Sequence, residues 1–116
     1  PTPVLRYNGC RQEFIVQWLP ATAGLLYTGQ VKVRAKVSPG NQTFLIVNFL
    51  DEKQRLIGGG VIDRLPAGAD VQEVDLCVVA RAPANARFVG LGLRAINQVN
   101  DDFAEFSGAS LRRSGN

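Results

Sequence analysis

The side chains able to do chemistry are few and dispersed. The 116 residues include no histidine, so neither a Ser-His-Asp relay nor a histidine-held zinc can be assembled. Carboxylates stand at Asp51, Glu52, Asp63, Asp70, Glu73 and Asp75, spread over turns and alternating segments. A glycosidase needs two of them facing across a cleft at about 5–9 Å, and a chain of this length has little room for a deep cleft. Cys10 and Cys77 are the two thiols, with no CxxC or Cys/His cluster to suggest metal or redox work. They read as two separate thiols, or as one bridge if the first strand lies beside the sixth. Gly58-Gly59-Gly60 would cradle a phosphate only with a lysine and a helix behind it. Neither follows, which leaves a bulge or a close backbone approach. No enzyme activity and no cofactor are expected; the chemistry left is that of contact.

Contact surfaces depend on the elements that carry them. Val31-Lys32-Val33-Arg34-Ala35-Lys36-Val37 alternates apolar and basic residues, the period of a strand with one face on a core and one in water. Similar segments recur at regular intervals, separated by turns such as Ser38-Pro39-Gly40-Asn41, where proline presets φ and glycine accepts a positive one. Strands are expected over 13–18, 27–37, 43–50, 55–62, 71–80, 87–96 and 103–112. Loops are expected over 63–70 and 97–102, and no segment has a helical period. Seven or so antiparallel strands need two packed sheets. The inward set expected is Phe14, Val16, Val31, Val33, Val37, Val47, Val74, Leu76, Val78, Val89, Leu91, Leu93 and Leu111. Such a set offsets chain entropy only as one shared core, so residues 1–116 are read as a single domain.

Composition narrows the partners. Thirteen Lys+Arg against ten Asp+Glu give a net charge of +3, mild for a nucleic-acid binder. Lys32, Arg34 and Lys36 still form one basic stripe, which would show as a steep salt dependence if it met nucleic acid. No apolar run approaches the ~18 residues of a membrane helix, and no secretory leader is read at the start. Pro1 suits either a processed piece or a small protein that has lost its initiator methionine. Thr43-Phe44-Leu45-Ile46-Val47-Asn48-Phe49-Leu50 is apolar on both faces, whereas a two-layer fold buries only one. The spare face, with Phe44 and Ile46, would be an exposed patch unless a segment such as Pro3-Val4-Leu5 or a second subunit covers it.

The order of pieces resembles the jelly-roll carbohydrate-binding modules of the galactose-binding-like type. The likeness runs through Gly24-Leu25-Leu26-Tyr27-Thr28-Gly29-Gln30-Val31 and the hairpin Asn48-Phe49-Leu50-Asp51-Glu52-Lys53-Gln54-Arg55-Leu56. It continues through Ala80-Arg81-Ala82-Pro83-Ala84-Asn85-Ala86-Arg87-Phe88-Val89-Gly90-Leu91 to the closing Ala104-Glu105-Phe106-Ser107-Gly108-Ala109-Ser110-Leu111. The resemblance implies an all-β, antiparallel two-sheet jelly-roll β-sandwich. It also implies a structural calcium, but the family's closing carboxylates fall here at Ser107 and Gly108. Asn97, Asn100, Asp101, Asp102 and Glu105 could supply oxygen ligands instead, or could simply form a polar turn. Sugar sites of this type stack on exposed aromatic rings; the candidates are Trp18 and Tyr27, both also suited to packing.

The same fold at this size resembles small capsid-decorating proteins of tailed phages. Two functions are therefore expected. One is a non-catalytic structural protein that docks on an assembly, a capsid shell or its own copies through Phe44, Ile46, Phe88 and the basic stripe of Lys32, Arg34 and Lys36. The alternative is a carbohydrate-binding module using Trp18 and Tyr27. The first implies a virion location, the second a secreted one.

Overall fold

A computed structural model describes residues 4–7, 11–58, 60–68, 70–99 and 101–115, with backbone alone at 4 and 11–14. Eight strands follow one another: β1 (Val4–Tyr7), β2 (Arg11–Pro20), β3 (Leu26–Lys36), β4 (Gln42–Leu50), β5 (Val61–Arg64), β6 (Gln72–Arg81), β7 (Phe88–Ile96) and β8 (Phe103–Gly115). They pair as a nested hairpin, β1 with β8, β2 with β7, β3 with β6 and β4 with β5. Alternate pairs fall into alternate sheets, giving two antiparallel four-stranded layers, β1-β8-β3-β6 and β2-β7-β4-β5. That wrapping is the jelly roll, and the fold class is the one expected.

The alternation decides which side chains meet between the layers. β3 turns Val31, Val33 and Ala35 inward, and β4 turns Leu45, Val47 and Phe49 toward them. β6 adds Leu76 and Val78, β7 adds Val89, Leu91 and Leu93, and β8 adds Phe106 and Leu111. The remaining expected core residues agree, with Val37 buried and Val16 and Val74 packed at the margin; the Phe14 side chain lies outside the described residues. Tyr7 closes one end, its ring edge-on to Phe106 at 5.3 Å and its hydroxyl donating to the Leu93 carbonyl at 3.0 Å.

Two expectations need correction. The strand expected over 55–62 is short and displaced: β5 begins only at Val61, and Leu56 makes a single bridge to Leu50. The cause is local. Asp51 Oδ1 accepts the N–H groups of Lys53 and Arg55, both at 2.9 Å, and Gly58 takes φ +65°. Arg55 and Ile57 still bond back to Asp51 and Phe49 across this turn, and the chain departs from β4 only after them. The second concerns the N-terminal segment. Val4–Tyr7 does not cover the spare face of β4; it forms β1 on the edge of the opposite sheet, against β8. Pro1, Pro3 and Cys10 lie outside the described residues, and Cys77 is a free, exposed thiol on β6.

Candidate functional site

The residues expected to form one interaction surface are divided between two exteriors. Lys32, Arg34 and Lys36 belong to β3 and point outward from the β1-β8-β3-β6 layer. Phe44, Ile46 and Phe88 belong to β4 and β7 and lie on the outside of the other layer. Consecutive strands β3 and β4 change sheets, so neighbours in sequence become opposite faces.

On the β3 side the stripe is not a bare cationic surface. Arg6, Glu105, Arg34 and Glu73 stand in register across all four strands. Arg34 reaches Glu105 at 3.1 Å and Glu73 at 3.9 Å, and Arg6 also pairs with Glu105. Lys36 pairs with Asp101. The guanidinium of Arg6 also lies 4.5 Å from the Phe103 ring centre. Two of the three expected contact cations are thus already matched by carboxylates, which reduces what a phosphate backbone could recruit.

Of the alternative calcium ligands, Asp101, Asp102 and Glu105 are likewise committed, and Asn100 lies outside the described residues. Asp102 is buried; burial pushes its carboxyl up, but donors more than offset this and hold it below the usual range. Those donors are Ser38 Oγ at 2.6 Å, the Val99 N–H at 3.0 Å and Asn41 Nδ2 at 3.0 Å. Asp101 is held by Lys36 and Glu105 by Arg6 and Arg34. Among the described residues no three metal-ligating side chains converge. The cluster is a latch between two turns.

The outer face of β2-β7-β4-β5 is different in kind. Register places its side chains in rows: Pro20, Phe88, Leu50 and Leu56; then Trp18, Gly90 and Asn48; then Ile15, Gly92, Ile46 and Ile62; then Arg94, Phe44 and Arg64. The first three rows are uncharged. Phe44 and Ile46 were expected as exposed contacts, yet they are only 5% and 8% exposed. Their cover comes from this chain. The Arg94 guanidinium sits 5.9 Å from the Phe44 ring centre, and Ile15 leans over Gly92 beside Ile46. The backbone at Gly60 lies so close to Ile46 and Asn48 that no Cβ would fit there. Of the glycine run, Gly60 makes a close approach, Gly58 does not, and Gly59 lies outside the described residues.

Trp18 is the exposed aromatic ring of this face among the described residues, with Leu56 and Ile62 exposed toward its β5 edge. Its six-membered ring lies where a Cβ on Gly90 would be. One side of the indole therefore rests on bare backbone, and the residue remains 43% exposed. In the same row Asn48 is only 8% exposed, and its amide has no hydrogen-bond partner among the described residues. Tyr27, the other aromatic expected at a sugar site, is unavailable. It is 3% exposed, edge-on to Phe49 at 6.1 Å, and its hydroxyl accepts the Thr22 N–H at 2.9 Å. Asn48 and Gly90 were missed from sequence, although a lone polar residue in an apolar strand and alternating glycines in β7 were the available signals.

No protein-family model matches the chain, and no curated protein does. Solved structures do. The enzymatically active domain of tailspike protein 4 from bacteriophage CBA120 superposes with a TM-score of 0.69 at 12% identity, covering 97% of this chain and 18% of that one. The Clostridium thermocellum xylanase 10B fragment with CBM22-1 and GH10 modules, complexed with xylohexaose, gives 0.57 at 18% identity, covering 97% and 26%. A CBM4 structure gives 0.53 at 16% identity, covering 88% and 61%. The chain therefore spans less than two thirds of each. The likeness establishes a jelly roll of the carbohydrate-binding-module kind, an architecture that serves binding and structural roles alike.

Proposed function

We propose that this chain is a non-catalytic module that binds a glycan across the outer face of β2-β7-β4-β5, with Trp18 as its stacking platform. The observation that carries the reading is the exposed Trp18 ring seated on Gly90. An aromatic face fits the C–H face of a sugar ring, whereas the Asn48 amide lies buried beside the Gly60 backbone. The indole is held in place by the glycine beneath it, so little freedom is lost on binding. Two of the structural relatives carry carbohydrate-binding modules, one of them bound to xylohexaose, which is consistent with this chemistry.

The test is calorimetric titration with a panel of neutral hexasaccharides (xylo-, cello-, manno- and laminarihexaose). At least one should bind, and Trp18→Ala should weaken it tenfold or more, about 1.4 kcal/mol. Binding to no member, or binding indifferent to Trp18→Ala, would overturn the reading.

A second reading, docking on a protein assembly such as a capsid shell or on copies of the chain itself, is favoured by the exposed Leu56 and Ile62 toward the β5 edge of the same face. It is the weaker of the two because Phe44 and Ile46, the residues that suggested it, are covered within the chain. Concentration-dependent sedimentation as a dimer or trimer, without sugar affinity, would favour it.

A further inference from the structure

The row Pro20–Phe88–Leu50–Leu56 ends the apolar face, and immediately beyond it the chain forms a small polar hollow. Its volume is about 160 Å³, and it is lined by Asp51, Glu52 and Arg55 from the turn after β4 and by Asn85 and Arg87 from the loop before β7. The hollow is partly open to solvent, so one ring of a longer glycan can enter it. Two hydrogen bonds tie its walls: Arg55 Nε donates to Asp51 Oδ2 at 3.0 Å, and the Arg87 N–H donates to the Leu50 carbonyl at 2.8 Å.

The remaining groups are uncommitted. Among the described residues the side chains of Glu52 and Asn85 have no hydrogen-bond partner, and Arg87 reaches only the Ala86 carbonyl at 3.5 Å. A carboxylate, an amide and a guanidinium around one hollow match adjacent hydroxyls. The carboxylate accepts from two, the guanidinium donates to two, and the amide does either. Asn85 holds φ +71°, a conformation that asparagine tolerates better than most residues.

The hollow adjoins that face at the end of the layer rather than lying on it, because Arg87 precedes β7 and is an odd number of residues from Gly90, while alternate residues point to opposite sides. Arg87 lies three residues before Gly90, about 10 Å along the strand at ~3.3 Å per residue, so one oligosaccharide can reach both. Resting on the glycan reading of that face, we infer that the Glu52–Asn85–Arg87 hollow is a second subsite that takes the terminal ring of the bound glycan through its vicinal hydroxyls.

Asn85→Gly and Arg87→Ala test this with the hexasaccharide panel. Glycine accepts the positive φ and arginine is exposed there, so both variants should unfold thermally with the wild type. Each should bind the best hexasaccharide about tenfold more weakly. In the wild type, O-methylation of the vicinal hydroxyls of the terminal non-reducing ring alone should give a similar loss, and this loss should be absent in Arg87→Ala. If both variants bind within twofold of wild type while Trp18→Ala does not, the hollow is not a subsite and the reading of the face survives. If the wild type binds no member of the panel, both fall together.

Discussion

At the residue scale, the account turns on a ring lying on a glycine. Trp18 is the chain's single tryptophan, so its fluorescence reports that contact without interference. Gly90→Val would place side-chain carbon where the indole now rests. Overpacking of this sort costs about 1–3 kcal/mol, and here the indole can swing outward to relieve part of it. The expected result is a red-shifted Trp18 emission, a modest fall in unfolding midpoint and weakened glycan binding. An unchanged spectrum would mean the ring does not rest on Gly90. Trp18 was legible in the sequence as a candidate platform, whereas Tyr27 was not separable from it. Both are aromatic residues near a strand end, and only the third dimension shows that one packs on Phe49 and the other on bare backbone.

At the scale of elements, the outer row of the β1-β8-β3-β6 layer governs how the sheet answers to acid. Hydrogen bonds from Arg6 and then Arg34 hold the Glu105 carboxyl below the usual range. A carboxylate with a lower pKa folded than unfolded contributes stability above its unfolded value and loses it as pH falls through the folded one. Stability should therefore begin to decline near the ordinary glutamate value of 4.5 and keep falling below it. Glu105→Gln should flatten that decline in urea midpoints measured from pH 6 to pH 3 (roughly the carboxylate range). An unchanged slope would show that the row contributes nothing. The alternation of 31–37 made this strand and its outward charges plain from sequence. Their partners were not plain, because Glu105 and Glu73 are brought beside Arg34 by pairings between strands distant in sequence. The same limit explains β5: nothing in 55–60 announces that the return arm will leave β4 after Ile57 and that the strand will begin only at Val61.

At the scale of the molecule, sheet-switching between successive strands decides which surfaces exist. Two layers, their antiparallel order and most of the core follow from period and turn chemistry, since each is set by local pattern. The assignment of β3 and β4 to opposite layers does not, and it separated Lys32, Arg34 and Lys36 from Phe44, Ile46 and Phe88. The double-sided hydrophobicity of β4 likewise has an internal answer. β4 is flanked by β7 and β5, and side chains from this one chain close over its outer side. What remains open on that layer, among the described residues, is the indole on one side and Leu56 and Ile62 toward the β5 edge. The measurement that addresses this most directly is a two-dimensional NMR titration of the labelled chain with the best-binding hexasaccharide. Amide shifts should cluster at Trp18, Asn48 and Gly90 and extend to Asn85 and Arg87. Shifts centred instead on Lys32, Arg34 and Glu105 would place the ligand on the opposite sheet and contradict the account.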